Sequence, residues 1–347
     1  MQDSHFLLYD WINESLPRTE FNLSQSGMNQ IDISRIGVKT DYGEYHSSGI
    51  DGDLQFRKTV ARIHSVSEDN VTSTVGGSQA IFIAASMINM KNDPVVIPIP
   101  EYEPISSVPE MIHAKISRDR MENFHKSVRN GESFIMSNPN NPTGLAYDAG
   151  IISRMAETTS SGGHYALIDE AFMDFSHAEP EKIKIYDGIM FSNTLSKFYG
   201  LGFMRTGYIV SDRETIRRIN HLKSLYTGGS SPYFLWIASQ VLQKRDIFFR
   251  NAQKIMTENR KMVSDFVMDA GLRSDVASGV APYCLVEYGQ RIAAIDLCRK
   301  VLERTGVLIS AGTYFGVESS FRLCFTPETE KLSEALEKLS VFFKNLR

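Results

Sequence analysis

Ile189-Met190-Phe191-Ser192-Asn193-Thr194-Leu195-Ser196-Lys197 opens as an apolar run and closes on hydroxyls and a lysine. A short apolar run bounded by polar residues suits a strand buried on both faces of a sheet, and the strand is placed at Ile189–Ser192. Working outward, runs of the same kind recur at Val71–Val75, Pro94–Ile99, Phe134–Ser137, Tyr165–Asp169 and Gly207–Ser211. Helical patterns lie between them, such as Gln79–Asn89 and Gly150–Thr158. That alternation predicts an α/β fold, doubly wound around a mostly parallel sheet. In such sheets ligands bind at the strand ends, where this chain collects its unusual polar groups.

From about Tyr233 the pattern changes. Tyr233–Ala270 carries apolar residues at helical spacing, and Gly271 stands where a helix-ending glycine belongs. Glu328–Arg347 places Leu332, Ala335, Leu336, Leu339, Phe342 and Phe343 on one face, the mark of an amphipathic terminal helix. The expected division is an N-terminal arm over residues 1–30, a large domain over 31–235 and a smaller α+β domain over 236–347.

The 347 residues are 42% hydrophobic and 22% charged, and 37 Lys+Arg stand against 41 Asp+Glu. A net charge of −4 supplies no basic field for nucleic acid, which also disfavours a DNA-bound regulator that senses a ligand through this domain. No apolar run is long enough to span a bilayer, and Met1–Asp10 lacks the build of a signal peptide. Three cysteines without a CxxC pair point to a reducing cytoplasm, and eight histidines without ligand spacing give no metal site.

Asp169 ends the strand-like Tyr165-Ala166-Leu167-Ile168 and precedes Glu170-Ala171-Phe172. Lys197 lies between a buried strand and the glycine-rich Tyr199-Gly200-Leu201-Gly202; a partly buried lysine has a lowered pKa and can form a Schiff base. Two hydroxyls, this lysine and Arg205 suit a phosphate-bearing aldehyde. Thr74-Val75-Gly76-Gly77-Ser78-Gln79 runs from strand into helix, where backbone N–H groups and the helix dipole favour an anion. Asn138-Pro139-Asn140-Asn141-Pro142-Thr143-Gly144 follows another strand, and its two prolines hold an extended, rigid course.

Taken together and in this order, GGSQA, PEY, SNPNNPTG, DEAF, the SK lysine and Arg205 before Gly207-Tyr208 resemble the fold-type-I, pyridoxal-phosphate-dependent aminotransferases of class I/II. The resemblance runs from about Tyr42 to the C-terminus and implies pyridoxal 5'-phosphate as cofactor, a homodimer, and an L-amino acid and a 2-oxo acid as substrates. It implies that Lys197 carries the cofactor as an internal aldimine and shuttles the proton, while Asp169 holds the pyridine nitrogen protonated. Asn141 then donates to the phenolic oxygen and borders the substrate, and Tyr102 stacks on the ring. The phosphate falls to Gly77, Ser78, Gln79, Thr194 and Arg205, with Ser196 as an addition. A tyrosine of the other subunit also reaches that phosphate; Tyr45 matches it, and Tyr42 competes.

Arg322 in Ser320-Phe321-Arg322-Leu323-Cys324-Phe325 matches the arginine that binds the substrate carboxylate, a role suited to the two-pronged guanidinium. One departure stands at Phe172, where the family usually has a tyrosine that bonds the cofactor's phenolate. A same-fold alternative is a lyase, decarboxylase or cyclase. Leu8-Tyr9-Asp10-Trp11 and Leu23-Ser24-Gln25-Ser26-Gly27 resemble the opening of the capreomycidine-synthase-like branch, which cyclises a hydroxylated arginine. Without that resemblance, the same stretch reads as an arm that closes over the active site.

Overall fold

The computed structural model describes residues 6–128, 132–176, 182–289 and 292–346. Among the described residues twelve strands run in chain order: β1 (Phe21–Asn22), β2 (Val71–Thr74), β3 (Val95–Ile99), β4 (Ile116–Arg120), β5 (Ser133–Ser137), β6 (Ala166–Asp169), β7 (Ile189–Thr194), β8 (Gly207–Val210), β9 (Tyr283–Glu287), β10 (Val307–Leu308), β11 (Ser310–Ala311) and β12 (Ser320–Cys324). Seven of them form one sheet in the order β2-β8-β7-β6-β5-β3-β4. Every neighbouring pair is parallel except those that involve β8, which runs against both β2 and β7.

The six strands expected from apolar runs all lie in this sheet. β5, β6 and β7 are buried along their whole length, as the covered faces of a parallel sheet require. The edge strand β4, Ile116-Ser117-Arg118-Asp119-Arg120, has no apolar run and was not expected. Its charged residues suit an edge, where open backbone groups would otherwise invite pairing with another chain.

The C-terminal half builds a second sheet, β11-β12-β9, antiparallel throughout. The helical stretch after Tyr226 is two helices, Pro232–Leu242 and Arg245–Asp269, with the break at Gln243 and Lys244. Pro232 opens the first of them, where its missing N–H costs nothing. The last helix, Thr329–Lys344, buries all six apolar residues of its expected face.

The N-terminal arm is woven into this second sheet. β1 pairs in parallel with β10, Leu23 N–H donates to Leu308 O at 2.9 Å, and Cys324 N–H donates to Leu23 O at 2.9 Å. Ahead of it, the helix Leu7–Ser15 is fixed by Trp11, whose indole N–H donates to Ile309 O at 2.9 Å. No helix among the described residues is long and apolar enough to cross a membrane.

Candidate active site

A cleft of about 650 Å3 opens where the carboxyl ends of β5, β6 and β7 face the arm and β12. Asp169 is the last residue of β6 and is buried. Ser192 Oγ, on the neighbouring β7, donates to its Oδ1 at 2.8 Å. Burial pushes the Asp169 carboxyl up to about 6, against the pull of Ser192, the Lys197 charge and the Ala171 N–H.

Thr194 ends β7, and its hydroxyl accepts the Ser196 N–H at 3.2 Å and lies 3.0 Å from Ser196 Oγ. Across from them, Gly76 begins the helix Gly76–Met90 with φ +72°, and Arg205 takes φ +46° after a short turn. A Cβ on Gly76 would stand 2.8 Å from Arg205 Nη2, so a bare backbone is what lets the guanidinium lie over the helix start.

Lys197 reaches the cleft from the loop after β7. Burial first, and then the charge of Arg322, bring its amine down to about 8. The amine donates to Ser26 Oγ at 2.8 Å and lies 5.8 Å from the centre of the Phe172 ring. The arm rests directly on the lysine's backbone: Met28 N–H donates to Lys197 O at 2.9 Å, and a Cβ on Gly27 would stand 3.0 Å from Lys197 Cα.

Arg322 enters from the middle of β12 and is buried to 2% exposure. Its Nη1 donates to Asn141 Oδ1 at 2.8 Å and its Nη2 to Ser24 O at 2.6 Å, while Nε has no partner. The Tyr283 and Phe315 rings flank the guanidinium at 5.4 and 4.9 Å. Among the described residues no carboxylate pairs with it. A buried guanidinium without a counter-charge is costly to keep, and an incoming carboxylate would relieve it. Because Asn141 Oδ1 is committed to Arg322, its amide nitrogen is left as the donor facing the cleft.

The structure brings Gly77, Ser78, Tyr102, Asn141, Asp169, Phe172, Thr194, Ser196, Lys197, Arg205 and Arg322 to the wall of this one cleft. Gln79 does not line it: its Oε1 accepts the Val75 N–H at 2.8 Å and its Nε2 donates to Thr227 Oγ1 at 3.1 Å. Tyr45 does not line it either, and packs on Trp236 and Tyr233 from the exposed helix Tyr42–Ser48. Phe172 stands edge-on to Tyr283 at 4.8 Å, an apolar contact where a tyrosine would bring a hydroxyl.

Sequence reasoning missed Ser26, Glu101, Ser137 and Ser192. Glu101 is 3% exposed; its carboxyl accepts the N–H of Ser137 at 2.8 Å, the N–H of Tyr102 at 2.6 Å and the Ser137 hydroxyl. Ser137 Oγ in turn accepts the Asn141 N–H at 2.9 Å. An acidic residue between a proline and an aromatic at a strand end was the only signal that could have marked Glu101.

Pyridoxal phosphate fits this donor set. Arg205, Ser78, Thr194, Ser196 and the start of the helix Gly76–Met90 offer cation, hydroxyls and backbone N–H groups to a phosphate. Gly77 lies close to both Asp169 and Thr194: a Cβ there would stand 3.9 Å from Asp169 Oδ1 and 3.9 Å from Thr194 Cγ2. The chain is similar to capreomycidine synthase of Streptomyces vinaceus, 23% identical across 96% of this chain and 92% of that protein. It is also similar to a probable aspartate/prephenate aminotransferase of Rhizobium leguminosarum bv. phaseoli, 25% identical across 86% and 84%. In structure it resembles a PLP-dependent cyclase, OrfR (TM-score 0.88, 19% identity, 100% of this chain and 99% of that one). The aspartate aminotransferase of Thermotoga maritima superposes with a TM-score of 0.83, at 18% identity over 99% and 98% of the two chains. Residues 35–339 match the family "Aminotransferase class I and II", so the chain belongs to the class I and II aminotransferase family of pyridoxal-phosphate enzymes.

Proposed function

We propose that the protein is an aminotransferase that moves an amino group between an L-amino acid and a 2-oxo acid. The observation that carries this reading is Arg322: a buried guanidinium, held by Asn141 and Ser24 and lacking a counter-charge, placed in one cleft with Lys197. It suits the carboxylate that both substrates share. When bound, pyridoxal phosphate supplies the electron sink for breaking a bond at the substrate Cα.

The chain's own residues do the rest. Arg205, Ser78, Thr194 and Ser196 would hold the phosphate, Tyr102 would pack on the ring and Asp169 would keep a proton on the ring nitrogen. Lys197, lowered to about 8, has a far larger free-amine fraction near neutral pH than an ordinary lysine; it would bind the aldehyde and afterwards move the proton at Cα. Its partner Ser26 holds Nζ in place. With phenylalanine at 172, Asn141 would be the donor to the ring oxygen. We take the active unit to be a homodimer in which Tyr45, or Tyr42 beside it, reaches the phosphate of the other subunit. The division into arm, large domain and small domain at residues 30 and 235 belongs to the same reading.

A second reading is a cyclase on the same fold. It is favoured by the near full-length similarity to capreomycidine synthase and to OrfR. The visible absorption of the holoenzyme decides between them. Transamination converts the cofactor band to that of the amine form on adding an L-amino acid, and a 2-oxo acid reverses it. A band that no L-amino acid converts favours the cyclase.

A further inference from the structure

We propose that the segment from Phe6 to Ile12 makes this a site for L-amino acids with uncharged, apolar side chains, aromatic ones above all. The inference rests on Arg322 taking the substrate carboxylate, as in the reading above.

Among the described residues the charged groups that line the cleft are Lys197, Arg205, Arg322 and Asp169. Each has work to do on the cofactor or on the α-carboxylate. Among the described residues of this chain no further guanidinium or ammonium lines the cleft for a side-chain carboxylate, and no further carboxylate for a side-chain guanidinium. A substrate bearing either charge would have to shed water there without a partner.

The rest of the lining is uncharged: beside the polar Ser24, Gln25, Ser26 and Ser137, most of its apolar side chains come from the arm. Phe6, Leu8, Tyr9 and Ile12 line the cleft opposite the strand ends. The Phe6 ring stacks on Tyr9 at 5.7 Å and meets Tyr102 edge-on at 5.8 Å, so aromatic faces continue from the arm to the ring-stacking position. This wall is anchored. The Glu103 carboxylate accepts the N–H groups of Leu7 and Leu8, each at 2.8 Å, satisfying two donors that the start of a helix leaves open. Trp11 ties the same helix to Ile309 from its other side.

The test uses three carboxylates that lack an α-amino group and so cannot react: 3-phenylpropanoate, succinate and 5-guanidinopentanoate. Each is titrated calorimetrically into the holoenzyme. The expected order is 3-phenylpropanoate tightest, by at least about tenfold over either charged probe. Phe6→Ala and Ile12→Ala should each weaken 3-phenylpropanoate by about fivefold, while succinate binding changes less than about twofold. Succinate or 5-guanidinopentanoate binding tightest in the parent overturns the proposal, as does equal weakening of all three probes in both variants. Because none of the probes transaminates, the aminotransferase reading can fail in the absorption experiment while this order stands. Equally, rapid conversion by L-aspartate with succinate binding tightest would sink this inference and leave that reading intact.

Discussion

Asp169, Thr194 and Asn141 reach the cleft from the ends of neighbouring strands or the turn just after one, within a single sheet whose register fixes them. Arg322, Ser26 and Leu8 arrive from a second sheet and an arm that are distant in the chain; the Arg322–Ser24 bond alone spans 298 residues. The floor is thus a local consequence of one parallel sheet, whereas the roof exists only after distant segments have met. Floor residues should therefore govern chemistry, and roof residues affinity and selectivity.

The largest effect that would test this division is at Lys197. Lys197→Ala removes the proposed nucleophile and proton carrier together, and turnover should fall by at least about 10^4-fold. A companion measurement needs no turnover. With the amine lowered to about 8 from an ordinary 10.5, capture of added cofactor by the stripped protein should rise through pH 8. A rise centred near 10.5 would mean that the floor does not desolvate this lysine. Next comes Asp169→Asn, which keeps the shape and removes the charge. Losing a buried charge partner costs about 3 kcal/mol, or roughly a hundredfold in rate, with substrate affinity little changed. An effect confined to KM would place Asp169 with the roof.

Arg322→Lys probes the roof. A lysine cannot reproduce the two-pronged geometry or reach Asn141 and Ser24 at once, so KM for the amino acid should rise by about tenfold or more while the cofactor stays bound. Loss of cofactor instead of substrate affinity would show that the guanidinium belongs to the floor.

The same contrast explains what the sequence disclosed. β5, β6 and β7 announce themselves because both faces are buried and their residues, Ser133 aside, are therefore apolar until the functional end. β4 was invisible because an edge strand carries charge in place of that pattern. On the floor, Asp169 and Lys197 stand where an apolar run gives way to polar residues. On the roof, Arg322 was found through a family resemblance, since one arginine between apolar residues equally fits a surface strand. Ser26 has no local signal at all. Its role is a single contact with Lys197 across 171 residues of chain, and no periodicity encodes a loop's landing place. Tyr45 belongs to neither floor nor roof of its own chain, because the surface it offers is a packed aromatic patch outside the cleft.

Glu101 sits on the seam between the two regions and yields the smallest of these effects. Its own N–H donates to Phe315 O at 3.2 Å, a bond to the segment between β11 and β12. Its carboxyl gathers Ser137 and Tyr102, and Ser137 passes the connection to Asn141, which holds Arg322. Burial raises this carboxyl to about 8 despite its donors, and the nearby Asp169 adds to the rise. In the unfolded chain it titrates near its ordinary 4.5. Between those values the folded state keeps a proton that the unfolded state has released, so this group's contribution to stability falls as pH rises across the window. Glu101→Gln cannot titrate. It should cost about 1–2 kcal/mol near the acid end of the window, through one misplaced acceptor. Its gap from the parent in urea midpoint should then shrink and reverse in sign toward pH 8, because the parent loses about 1.4 kcal/mol per pH unit across the window. A gap of equal size at about pH 5 and about pH 8 would mean that Glu101 is ionised throughout. The seam would then be an ionised anchor instead of a protonated one, and Arg322 would feel a standing negative charge through Asn141.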